Sequence, residues 1–422
     1  MAKQTATAST SPLTARKRVA TGIALLVMGL LMYALFVTGT QPGQTATFGM
    51  NLGDTAIKIP DLALPVQPSL YALVLISVFL GAWQLARGGL RSSGWSVAIV
   101  AFCFVAGFLI WATQDKAFNL VGMLNGTVGR SIPIALAALC GVVSERAAVI
   151  NIAIEGIMLM AAMTAVVSAT LAHSLLVGLV VAVLTGALVA ALHAVLVIRF
   201  KVDQIVSGVA INIFGTGMTS FISSRYLESN IDLLNNSGTM KVWAVPGLSQ
   251  IPVLGPIFFE HTPIVYIAFL LVILMHIVLF FTPWGLRTRA VGEHPKAADT
   301  LGINVFMTRY VNVILGGMIA GIGGAYFTIG SVGRFDQNMT SGKGFIGLAA
   351  MIFGKWTPIG AFLSSLLFGF ADSLQVKMQI LRVPIPSEFL AMAPYIITMI
   401  VLTGIVGRAI PPAADGTPYE KQ

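Results

Sequence analysis

Long apolar blocks separated by short polar segments run the length of the chain, at residues 19–39, 69–86, 95–113, 120–143, 148–172, 174–198, 205–224, 263–282, 307–330, 340–354, 358–377 and 389–407. Most of them approach the roughly 20 residues that a helix needs to cross hydrocarbon. None shows the two-residue alternation of an outer-membrane barrel strand. The pattern predicts an all-α, polytopic bundle of about 12 transmembrane spans. Block 340–354 is short and rich in Gly and Ala, so it reads either as a span or as a re-entrant half-span buried in protein.

The polar segments add a direction. Arg16, Lys17 and Arg18 precede the first block, which is too long for a signal-peptide core and lacks an A-x-A cleavage site, so it reads as a retained span. With that basic cluster cytoplasmic, strict alternation also places Arg87 and Arg91, Arg199 and Lys201, Arg287, Arg289 and Lys296, and Arg408 inside. The longer loops 40–68 and 225–262 then fall outside, and both termini are expected in the cytoplasm. Loop 225–262 is rich in turn residues, among them Asn235, Asn236, Gly238, Pro246, Pro252 and Pro256, as a small cap or lid would be.

Composition agrees with a membrane solvent. Of 422 residues, 56% are hydrophobic and 10% charged, against about 25% charged in soluble domains. The net charge of +9 reports topology and gives no reason to expect nucleic acid. Cys103 and Cys140 lie inside apolar blocks, so neither a disulfide framework nor a zinc spacing can be read. His173, His193 and His276 are single and unclustered, so no metal and no cofactor is expected. No nucleophile elbow or paired catalytic carboxylates appear, and the chain is not read as an enzyme. Gly354-Lys355-Trp356 lacks the hydroxyl of a phosphate-binding loop, so any ATPase must be a separate chain.

Candidate functional residues fall in three places. Segment 144–156 wedges charge between two blocks. Ser144, Glu145 and Arg146 read as a structural polar cluster near the membrane border, while Asn151 and Glu155 would lie inside the membrane if the next helix begins by Val149. A charge there costs roughly 2.5–3.5 kcal/mol, so Glu155 must face a partner, a cavity or water. It could line a pathway, or cap a neighbouring helix end or pair with Arg146. Asn212 and Asp372 also sit deep by position, whereas Asp203 and Lys355 read as snorkelling boundary residues. In loop 287–309, Pro295 suits a first helical position, Ala297, Ala298 and Leu301 share an apolar face, and Gly302 supplies a stop. Such a helix could be a docking knob or could pack on the protein's own underside. The glycines of 316–325 resemble a dinucleotide fingerprint but lack the preceding strand, and small residues in a membrane helix favour close packing.

Three ordered segments resemble the permeases of ABC importers that serve branched-chain amino acids and simple sugars, and among them the nucleoside permeases that work with a basic-membrane-protein-type lipoprotein. Residues 141–159 are similar to that branch's S-E-R-x-G-V-x-N-I-G-x-E-G-M-M-L. Residues 292–304, with Gly292, Glu293, His294, Pro295, Ala297, Ala298, Leu301 and Gly302, are similar to its G-E-N-P-x-A-A…G-I-N coupling loop. Residues 342–356 resemble its G-x-G-F-x-x-I-A-x-x-I-x-G-x-W. Ala148 and Ala153 stand where the branch usually has Gly, and alanine still permits close packing.

The resemblance implies a division into a tail and two extra spans (1–94), a permease core of about ten spans (95–408) and a short cytoplasmic tail (409–422). It also implies a bacterial plasma-membrane importer subunit passing nucleosides. Its partners would be a cytoplasmic ABC ATPase, a second related permease subunit, an extracellular substrate-binding lipoprotein, the small-molecule substrate and membrane lipid. Simple sugars or branched-chain amino acids are the alternative cargo. A gradient-driven transporter using Glu155 or Asp372 is the alternative mechanism.

Overall fold

The structure of the protein is a computed structural model that describes residues 12–53, 57–87, 93–386, 388, 389, 392 and 409–421. The chain forms two compact units, Met1–Gly122 with Lys377–Ile385, and Met123–Val376 with Pro386–Gln422.

The first unit holds α1 (Pro12–Met32), α2 (Val66–Arg87) and α3 (Ser93–Ala112). α1 and α2 approach closely where Gly22 faces Leu85 and Gly81 faces Leu26. Phe36 packs among Phe104, Phe108 and Trp111, with ring centroids 5.3–6.0 Å away. The small sheet of β1 (Thr45–Gly49), β2 (Leu62–Pro65) and β3 (Ala117–Asn119) has order β2-β1-β3. β1 pairs antiparallel with β2 (Thr45 opposite Pro65) and parallel with β3 (Thr47 opposite Ala117). Leu30, Leu75, Phe79 and Phe102 point outward, as a lipid solvent permits.

The second unit is built on α4 (Leu120–Glu145), α5 (Ile154–Ala172), α6 (Leu175–Ala194), α7 (Gln204–Ile222), α10 (Pro263–Phe281), α13 (Val305–Phe327) and α15 (Pro358–Ile380). Between α7 and α10 lies a folded cap with α8 (Ile231–Leu234), β4 (Trp243–Ala244), α9 (Leu254–Phe259) and β5 (Glu260–His261), β4 and β5 pairing antiparallel. α11 (Pro283–Glu293) and α12 (Pro295–Thr300) join α10 to α13, and α14 (Lys343–Phe353) precedes α15. The glycines of 316–325 serve packing, since Gly317 and Gly321 of α13 lie directly against Gly186, Ala190 and Ala182 of α6.

Among the described residues, ten helices are long and apolar enough to cross a membrane, and they match ten of the twelve apolar blocks. This is a multi-pass membrane protein. Block 389–407 lies largely outside the described residues. Block 340–354 corrects toward the half-span reading: α14 has 11 residues, which at about 1.5 Å per residue covers roughly half of a bilayer core.

Block 148–172 also corrects. α4 closes in a Schellman arrangement, with Val149 N–H donating to the Ser144 carbonyl at 3.2 Å and Ala148 left-handed at φ +61°, and α5 begins only at Ile154. Asn151 therefore lies in a non-helical connection. Asp203 lies exposed at the boundary of α7 and caps it, its Oδ1 accepting from Ile205 and Val206 N–H at 2.9 Å.

Candidate functional site

Glu155 occupies the first turn of α5, where a carboxylate meets the positive end of the helix dipole. Its side chain is buried, the residue being 6% exposed, and reaches the start of a second helix. Oε1 accepts from Thr340 Oγ1 at 2.6 Å and from Gly342 N–H at 2.8 Å, while Oε2 accepts from Gly344 N–H at 2.6 Å. The two backbone donors belong to the start of α14, where a helix leaves its N–H groups without intrahelical partners. Two helix N-termini thus converge on one carboxylate, which is what holds an acid in apolar surroundings. Glu155 thus caps a neighbouring helix end, and Arg146 is engaged elsewhere. Gly344 is sterically required, because a Cβ there would come within 2.7 Å of the Glu155 backbone.

The other end of α14 is held by the polar cluster. Lys355 and Trp356 are both left-handed, at φ +54° and +50°. Their carbonyls accept from Arg146, Nε to Trp356 at 2.8 Å and Nη2 to Lys355 at 3.4 Å. The Trp356 indole N–H donates to Glu145 Oε2 at 2.5 Å. Ser144 is fully buried beside Gly316 of α13. A lateral tie completes the hold: Lys343 Nζ lies 3.2 Å from Asp372 Oδ2, which also takes Arg130 Nη1 at 3.2 Å. Asp372 thus carries two cations on one carboxylate.

Beside the Glu155 end of α14 opens a cavity of about 570 Å³, lined by Glu155, Asn212, Ile213, Thr216, Gly217, Asn338, Gly342 and Phe345. Small-molecule sites occupy roughly 300–1,000 Å³. Asn212 holds the wall, its Oδ1 accepting from Gly156 N–H at 2.8 Å and its Nδ2 donating to the Ile152 carbonyl at 2.9 Å. Asn151 and Asp372 are not among the lining residues. Asn151 is fully buried, with Nδ2 3.6 Å from Cys140 Sγ and Oδ1 accepting from Ala153 N–H at 3.2 Å. Phe345 and Asn338 were not among the expected site residues, and the hold of Glu155 on Thr340 and Gly342 fixes the stretch between them beside the cavity.

The 287–309 segment lies at the Glu145 end. Gly292 sits against the Arg146 carbonyl, leaving no room for a Cβ. His294 caps α12 by accepting from Ala297 N–H through Nδ1 at 3.2 Å, Pro295 takes the first helical position, and Gly302, at φ +82°, ends it. Ala298 is buried and Ala297 exposed, while Leu301 is 81% exposed. Glu293 Oε2 accepts from Ala413 N–H at 3.3 Å. Among the described residues no group of three or more His, Cys, Asp or Glu converges as a metal site.

Residues 123–406 match a family described as the branched-chain amino acid transport system / permease component. The guanosine ABC transporter permease protein NupQ of Bacillus subtilis is 43% identical over 311 residues, covering 71% of this chain and 96% of the relative. The nucleoside ABC transporter permease protein NupC of Lactococcus lactis is 44% identical over 306 residues, covering 69% and 94%. The putative glucose ABC transporter permease protein TsgC13 of Haloferax volcanii is 34% identical over 260 residues, covering 61% and 78%. No solved structure matches the chain.

Proposed function

The chain belongs to the family of branched-chain amino acid transport system permease components, and from that premise we propose that it is the membrane subunit of an ABC importer for nucleosides. The observation that supports this best is the pairing of two features in one unit: a cavity walled by a clamped half-helix, and an exposed apolar tip, Leu301, on a short helix at the Glu145 end. The first suits a small polar solute. The second suits a partner that must be pushed and pulled from one side.

In this reading the Arg146 and α12 end faces the cytoplasm, both termini lie there, and α12 docks into a separate ATPase. A second, related permease chain completes the pathway, and an extracellular lipoprotein delivers cargo in a bacterial plasma membrane. The cavity face of α7 favours a pathway over lipid, because exposed Thr216 and Gly217 stand beside Ile213. Neither acid of the proton-driven alternative is free, since Glu155 accepts three hydrogen bonds and Asp372 is shared by Arg130 and Lys343. Nucleosides are preferred over sugars because the two relatives at 43% and 44% identity carry nucleoside names, against one glucose name at 34%.

The test is uptake of radiolabelled guanosine by cells with and without this chain, with ATP and the proton gradient depleted separately. Chain-dependent uptake lost with ATP alone is expected. Loss with the gradient alone overturns the importer mechanism, and uptake of glucose without guanosine overturns the cargo.

A further inference from the structure

Six residues are too few for a helix to persist in isolation, so α12 must be held by what surrounds it. Its only buried residue is Ala298, which shares a buried cluster with Tyr419 of the C-terminal segment. Tyr419 is 5% exposed in a cluster with Val291, Ala298 and Val305, its ring 5.3 Å from that of Phe306. The residues around it are fastened at intervals. Ala414 N–H donates to the Gly292 carbonyl at 3.0 Å and Arg309 Nη1 to the Thr417 carbonyl at 3.0 Å. Glu420 pairs with Lys201, and Lys421 Nζ lies 3.9 Å from Asp299 of α12.

Within the same stretch Asp415 reaches the carboxyl of Glu145, the group that also receives the Trp356 indole at the end of α14. The segment is thus anchored to α11, α12, α13 and the connection after α6, and touches the hold on α14. A merely solvated tail would bury neither an aromatic ring nor a carboxyl.

We propose that residues 412–421 are a strap that sets the position of α12, with Tyr419 as its positioning residue, so that loop and C-terminal segment together build the face offered to the ATPase. This rests on the docking assignment of α12 made above. Without the strap, Ala298 loses its cover and α12 samples open conformations.

The test is amide hydrogen exchange of the full chain in lipid nanodiscs, read at 294–303, with α5, which the strap does not touch, as the internal control. Tyr419→Ala, and a chain ending at Pro411, are expected to speed exchange in α12 by about tenfold or more, since local protection tracks the packing that an opening must break. Tyr419→Phe is expected to restore it. If Tyr419→Ala does not accumulate, Tyr419→Leu, which keeps apolar bulk without the ring, provides the same reading. Wild-type protection of α12 in the shortened chain overturns the strap. Faster exchange combined with undiminished ATPase association and uptake upholds the strap and overturns the docking assignment of α12 instead.

Discussion

Ala148 adopts φ +61° where α4 closes, and a non-glycine residue in that region is strained by roughly 1–2 kcal/mol. The resemblance placed glycine at this position, and the reason is the backbone angle; packing space, the criterion applied to the sequence, does not decide it. Ala148→Gly is expected to stabilise the protein by about 1 kcal/mol, read as a higher thermal midpoint in detergent. Glu155 poses the opposite case. Glu155→Ala leaves the N–H groups of Gly342 and Gly344 without their acceptor, at a cost of about 3 kcal/mol or more, and a lower midpoint with loss of uptake should follow. At Asp415, burial pushes the carboxyl up to about 6, opposed by hydrogen bonds from Glu145 and the Gly416 N–H and by the Arg309 charge. A carboxyl raised in the docked strap binds its proton more tightly there than when free. Docking is then strongest below the free value near 3.8 and weakens as pH rises toward 6. Protease cleavage of the strap at pH 5 and 7.5 should show this, and Asp415→Asn should abolish the difference.

Among elements, the half-helix α14 brings the sequence motifs together. The segments 141–159 and 342–356 stand about 200 residues apart, yet Glu155 holds one end of α14 and Glu145 with Arg146 the other. Their presence was legible, because charge inside an apolar block is costly and demands a partner. Which partner was not, since a carboxylate satisfied by backbone N–H groups and a hydroxyl leaves no complementary charge to find. Asp372 was legible as a polar intrusion, but its pairing with Arg130 and Lys343 was not. Of α12, the start at Pro295, the stop at Gly302 and the apolar Leu301 could all be read from local residue chemistry. The preceding helix α11 and the strap beneath could not, because neither has a hydrophobic period that distinguishes it from a loop. Leu301→Asp changes an exposed side chain, so folding should be unaffected. Loss of an anchor at an interface centre typically costs 2 kcal/mol or more, and ATP-driven uptake should fall at least about tenfold at normal membrane abundance.

At the scale of the molecule, apolar block length accounts for the ten candidate crossings among the described residues, with the one short block becoming the half-helix. The cavity at Glu155 and the exposed tip of α12 lie at the two ends of the same clamped region, and the account requires nucleoside to pass the first while the ATPase works on the second. The native thiols, Cys103 and Cys140, are both buried, which makes one introduced cysteine readable. The most direct measurement is therefore labelling of Thr216→Cys by a small thiol reagent in membranes containing the assembled transporter, with and without guanosine. The account predicts labelling that guanosine slows and glucose does not. Labelling at an equal rate in the presence and absence of guanosine would contradict it.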